Sequence, residues 1–172
     1  EYATSLNNLA SLYSKMGNYV KAEKIGKEVL TIRRKVLGSE HPDYALSLNN
    51  LALLYAKMGN FIEAEKMHKE ALIIQLKVLG ENHLDYATSL NNLAFIYSKS
   101  GNYFEAERMY KEALEIRRKI LGEKHPDYAN SLNNLAGVYL DMRNYKEAEN
   151  LNREALNVRK NIFSINHPDY AI

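Results

Sequence analysis

The side chains whose types and spacing could do chemistry are five histidines and four asparagine pairs. His41, His83, His125 and His167 recur every 42 residues, and four imidazoles are a sufficient ligand set for a transition metal. Each belongs to a different stretch of chain, however, and tandem helices pack about 8 to 10 Å apart, which would spread the set over tens of ångströms. Caps or loop packing are therefore expected of them, and no metal. His68 stands alone on its helix and is expected at the surface or between helices. Asparagine pairs at Asn7 and Asn8, Asn49 and Asn50, Asn91 and Asn92, and Asn133 and Asn134 ask for a reason, since asparagine is a middling helix former. An amide both donates and accepts, so a row of them can hold the main chain of an extended peptide whatever its sequence. The other reading is that the amides bridge neighbouring helices and satisfy one another, with the first member of each pair as the structural one.

Other chemistries are excluded. There is no cysteine for a nucleophile, a disulfide or a thiolate zinc site, no GxxxxGK[ST] phosphate loop and no HExxH motif. No catalytic residue and no cofactor are expected. A formal charge of +2 gives phosphates little to bind, so nucleic acid is not an expected partner. Charged residues, 26% of the chain, interrupt every apolar run, so membrane insertion is not expected either. The 46% apolar content permits a buried core, and a cytoplasmic location accompanies this reading.

The elements that position these residues follow from an internal repeat. The string Tyr-Ala-x-Ser-Leu-Asn-Asn-Leu-Ala begins at Tyr2, Tyr44, Tyr86 and Tyr128, dividing the chain into repeats 2–43, 44–85, 86–127 and 128–169, with a truncated fifth at 170–172. The first and third agree at 29 of 42 positions, so they are copies of one unit. A fixed period of this size marks a single solenoid domain over 1–172, in which each unit buries its apolar face against its neighbours. Leu6, Leu9, Ala10, Leu12, Tyr13 and Met16 keep helical spacing and define a helix A, which Gly17 ends. Asn18 caps a helix B with Ala22, Ile25, Val29, Ile32 and Val36 on one stripe, about nineteen residues long and closed by Gly38. Asn60, Asn102 and Asn144, each three residues before a glutamate, read as capping boxes. The architecture expected is all-α, eight helices in four tandem helix-turn-helix units.

Leu51, Ala52, Tyr55, Gly59, Ala64 and Ala71 resemble the tetratricopeptide repeat signature. The 42-residue period, the LNNLA string and the segment ALEIRRKILGEKHPDYA resemble the kinesin light chain subfamily of that repeat, about two helical turns, or roughly 12 Å, longer than the usual unit. The resemblance implies a right-handed α-solenoid superhelix whose A helices wall a concave groove, and a protein or peptide partner. With Leu6 at zero and about 100° per residue, the apolar set spans an arc of about 160°, and Thr4, Asn7, Asn8, Ser11 and Lys15 fall opposite it. That side would line the groove. The resemblance implies peptide contact at the second asparagine of each pair, here Asn8, Asn50, Asn92 and Asn134. Asn7, Asn49, Asn91 and Asn133 run beside them. Leu46, Leu53 and Phe95 are expected to form an apolar anchor site between repeats two and three, and Lys15, Lys57 and Lys99 to favour acidic flanks until Asp141 reverses the sign.

The rival class is a structural spacer or self-associating array, since the chain starts inside one repeat and ends just after opening another, and exposed apolar end faces would stack end to end. Arg33, Arg34, Lys35 and Arg117, Arg118, Lys119 are expected to be solvated and matched to the helix B dipole. Repeat four is expected to fray first, because Arg143 and Ser164 replace glycines of the other repeats.

Overall fold

The computed structural model describes residues 1–162, and these are all-α. Among the described residues the helices are α1 (Tyr2–Lys15), α2 (Tyr19–Leu37), α3 (Pro42–Lys57), α4 (Phe61–Leu79), α5 (Leu84–Lys99), α6 (Tyr103–Leu121), α7 (Pro126–Asp141) and α8 (Tyr145–Ile162). Odd helices are the A helices and even ones the B helices. His167, Ser164 and the opening of a fifth repeat lie outside the described residues.

Each A-to-B turn is a Schellman motif. In the first, the Asn18 N–H reaches Tyr13 O at 2.9 Å and the Gly17 N–H reaches Ser14 O at 3.2 Å, which needs a left-handed residue at 17, where φ is +76°. Arg143 takes the same conformation with φ at 59° and a side chain that resists it. The asparagine after the turn then caps the B helix, Asn60 Oδ1 accepting from the Glu63 N–H at 3.2 Å. The return bond of the expected capping box is not formed, because the Asn60 N–H is already donated to Tyr55 O at 2.8 Å. Asn18 caps equally well with Lys21 in the glutamate's place. The histidines start the A helices: His41, His83 and His125 Nδ1 each accept from the N–H of the aspartate two residues on, at 3.1 Å.

The described chain forms two compact units, Glu1–Gly80 and the part from Glu81 on. In unit 1, α1 packs on α2, α2 on α3 and α3 on α4, and in unit 2 the same holds for α5 to α8. Repeat-equivalent residues build the cores. Tyr44, Ala45, Leu48, Ala71 and Ile74 are buried together in unit 1, and Tyr128, Ala129, Leu132, Ala155 and Val158 in unit 2. The tyrosines add polar clasps to this packing. Tyr44, Tyr86 and Tyr128 donate to Glu70, Glu112 and Glu154 on the B helix of the same repeat at 3.3, 3.0 and 2.7 Å. Tyr55 donates to Glu23 at 2.9 Å, and that carboxylate also pairs with Lys27 at 2.6 Å. Burial, assisted by the Glu112 charge, pushes the Tyr86 hydroxyl up to about 12.

Three expectations are corrected. Leu9, Leu12 and Met16 belong to the apolar arc but are 38%, 53% and 68% exposed in α1, whereas Leu51 and Leu54 of α3 are buried, because α3 packs between α2 and α4 while α1, among the described residues, packs chiefly on α2. On α2 the buried stripe is Ala22, Gly26, Val29 and Arg33, and Val36 is exposed. Arg33 is thus not a solvated cation. Its Nη1 donates to Asp43 O at 2.6 Å and Ser47 Oγ at 2.8 Å, tying the end of α2 to the start of α3. Arg117 does the same for α6 and α7 through Ser131 Oγ at 2.6 Å.

Candidate interaction face

In unit 1, α1 and α3 lie side by side and turn the side opposite their apolar arcs outward. Asn7, Asn8, Ala10, Ser11 and Ser14 of α1, Ala22 and Gly26 of α2, and Asn50, Leu51, Leu53, Leu54 and Lys57 of α3 line a cavity of about 300 Å³. Its walls are aliphatic and its rim carries three amides, two hydroxyls and one ammonium. No carboxylate lines it. The Lys57 Nζ donates to Ser14 Oγ at 3.4 Å. The side chains of Asn7, Asn8 and Asn50 make no hydrogen bond among the described residues, so their donors and acceptors are available. Leu46 and Leu53 are both exposed, 44% and 39%, on α3, and Lys15 is exposed on α1.

Asn49 departs from the groove. It is buried, and its Oδ1 lies 2.8 Å from Nδ1 of His68, which is itself fully buried between α3 and α4. Burial pushes the imidazole down to about 4, so it is neutral near pH 7. His68 Nε2 is buried without a partner. The first member of this pair is therefore structural.

Unit 2 presents the same residue types in a different state. Asn134 Nδ2 donates to Asn91 Oδ1 at 2.8 Å, bridging α7 and α5. Ser98 Oγ donates to Asp141 Oδ2 at 3.2 Å, where unit 1 has Ser14 and Lys57. With its amide turned to face the guanidinium, Asn133 accepts from Arg159 at 2.8 and 2.9 Å. Asn92 is half-buried and its side chain has no hydrogen bond among the described residues. Phe95 is exposed, and the Lys99 ammonium sits 5.5 Å from its ring centre. Tyr110, at the repeat position of Gly26, is buried.

The groove residues expected from sequence thus divide. Asn8, Asn50, Lys15, Lys57, Leu46 and Leu53 share the outer face of unit 1, with Asn7 beside them, and Asn49, Asn91 and Asn133 serve the scaffold. Sequence reasoning overlooked the cavity. The signal was available in Gly26, an isolated glycine inside a helical pattern, which costs about 1 kcal/mol relative to alanine and so asks for a reason.

Among the described residues no group of three metal-ligating side chains is close enough to hold an ion, and no helix is long and apolar enough to cross a membrane. A family model described as tetratricopeptide repeat matches residues 1–72, 44–103 and 85–161. No curated protein matches the chain. Among solved structures, BtubC (BKLC) from P. vanneervenii is 28% identical with a TM-score of 0.84, over 96% of this chain and 66% of its own. A kinesin light chain-like protein of Podosopora anserina with nearly identical TPR-like repeats is 28% identical with a TM-score of 0.84, over 97% of this chain and 79% of its own. A single-residue variant of it gives 28% and 0.85, over 99% and 82%. The copied 42-residue units, the Schellman turns between their helices and the family match lead to one assignment: the chain belongs to the tetratricopeptide repeat family.

Proposed function

We propose that the chain is a non-catalytic scaffold that holds an extended, acidic segment of a partner protein against the outer faces of its A helices. The observation that carries the reading is the set of free amides on Asn7, Asn8 and Asn50 beside a cavity with an ammonium and no carboxylate. Amides that the fold does not use can pair with the main chain of a strand-like peptide. Lys15 and Lys57 place two cations on the same face, which steers acidic segments toward it and repels basic ones. Leu46 and Leu53 give apolar area for one large side chain, and in unit 2 Phe95, Asn92 and Lys99 offer contacts of the same kinds. The tetratricopeptide repeat generally mediates contact between proteins, and a cytoplasmic location fits such a role.

A peptide array tests the proposal. Acidic peptides with a central Trp, Phe or Leu are expected to bind, and Asn50→Ala is expected to weaken every one of them several-fold regardless of sequence. Equal binding of basic peptides, or indifference to Asn50→Ala, would overturn it. The alternative of a spacer or self-associating array is favoured locally by the Asn134 to Asn91 bond, in which the amides serve the stack. Light scattering separates the two, since a scaffold stays monomeric at concentrations where it binds peptide.

A further inference from the structure

We infer that the outer face of α4 is a homodimer surface, on which a second copy of this chain packs its own α4 antiparallel across a two-fold axis. Repeat two departs from its copies on this face. Thr31 of repeat one has Ile73, Glu115 and Asn157 as its equivalents, and Arg34 has Leu76, Arg118 and Lys160. In α6 the two positions form an ion pair, Arg118 Nε donating to Glu115 Oε2 at 2.9 Å, so the repeat does not need them for packing. Repeat two fills both with aliphatic side chains, and Ile73 is 67% and Leu76 46% exposed. At about 100° per residue they fall opposite Ala64, His68, Ala71 and Gln75, the buried side of the helix. Exposed aliphatics scattered singly are common, but these two are neighbours three residues apart on one stripe.

The charges choose the occupant. Glu70 and Lys77 are both exposed and seven residues apart, which puts them on the same flank of the Ile73 stripe. When two identical helices pack antiparallel about a two-fold axis, each flank meets itself with its order reversed. With the axis between the levels of Ile73 and Ile74, Glu70 of each copy stands level with Lys77 of the other. The two Ile73 side chains then meet near the axis, with Leu76 on the opposite flank. Within the chain Glu70 Oε1 accepts from the Tyr44 hydroxyl and Lys77 pairs with Glu40, which leaves Glu70 Oε2 and further Lys77 N–H groups for the second copy. Lys69, on the Leu76 flank, is already held by Glu65 at 2.6 Å. Exposed pairs of this kind add little affinity and fix orientation, so the aliphatic centre supplies the attraction. None of the residues assigned above to peptide contact takes part. The contact is small, so the dimer is weak, forms above the concentrations that bind peptide and closes at two copies, whereas an end-to-end array would keep growing.

The test is sedimentation equilibrium of the chain without peptide, from about 10 µM to about 1 mM. Reversible association that stops at twice the monomer mass is expected. Ile73→Thr with Leu76→Arg installs the residues that repeat one carries at these positions, and is expected to weaken the dimer at least tenfold with the helical circular dichroism unchanged. Glu70→Lys and Lys77→Glu, each made alone, set like charges level with one another and should both weaken it. An equimolar mixture of those two chains is expected to associate more strongly than either chain by itself, because the antiparallel register then pairs opposite charges again. A monomer at every concentration would overturn the proposal and leave the face to a helix of another protein. Mass growing past the dimer, or association indifferent to the Ile73 and Leu76 substitutions, would overturn it in favour of contacts elsewhere on the chain. A mixture no stronger than its components would overturn the antiparallel pairing.

Discussion

The A-helix faces of the two units are built from the same string of residues and end in opposite states. In unit 1, Asn7 and Asn50 are unbonded, Gly26 borders a cavity, and Ser14 meets Lys57. In unit 2, Asn91 and Asn134 bond each other, Tyr110 is buried at the Gly26 position, and Ser98 meets Asp141. The LNNLA string alone therefore does not make a binding face. A few substitutions around it decide whether the amides face outward to a ligand or are spent on the stack, and whether the rim is positive or negative.

The largest effects should come from the buried groups that distinguish the units. Arg33 is 5% exposed and holds Asp43 O and Ser47 Oγ, while its counterpart Arg117 is half-buried. Arg33→Ala should cost about 3 kcal/mol, and Arg117→Ala about half as much. Hydrogen exchange of α3 and α7 amides reads the two losses separately, and equal losses would erase this distinction.

His68 makes unit 1 acid-sensitive in a way unit 2 is not. Its folded value is pushed down to about 4 from 6.5, so the unfolded chain takes up a proton first. The stability it preserves is complete above about pH 6.5 and is lost as pH falls toward about 4, a span worth about 3 kcal/mol. Thermal unfolding of the chain and of His68→Tyr, compared at pH 7 and pH 4.5, should show a smaller acid shift in the variant.

The asparagines should separate binding from stability. Asn50→Ala should weaken acidic peptides by about 1 kcal/mol with stability unchanged, and Asn134→Ala should lower stability by about 1 kcal/mol through its lost bond to Asn91. Calorimetry and denaturant unfolding on both variants check the crossover.

Arg143 gives the smallest effect. Its left-handed backbone costs about 1 kcal/mol, so Leu135 amides should exchange faster than those of Leu51, and Arg143→Gly should narrow the gap. Equal protection in the unsubstituted chain would contradict this.

The fold was legible because the period repeats its local signals: a Gly at the turn of three repeats and an Asn to cap each B helix. The site was legible only by helix face, since spacing places Asn8, Asn50, Leu53 and Lys57 outward but not what surrounds them. Arg33 was misread as solvated because its partners, Asp43 O and Ser47 Oγ, are ten and fourteen residues away and come together only when α2 packs on α3. Asn49 and Asn7 are identical in their own helices. Whether each is structural depends on the residue opposite, His68 or Gly26, on the next helix.

The most direct test of the central claim is to follow the asparagine side-chain amide resonances while titrating an acidic peptide with a central Trp. The amides of Asn7, Asn8 and Asn50 should shift in step with binding, while those of Asn91 and Asn134 keep their positions. Shifts confined to Asn91 and Asn134, or none at Asn8 and Asn50 under saturating peptide, would contradict the assignment of unit 1 as the open face.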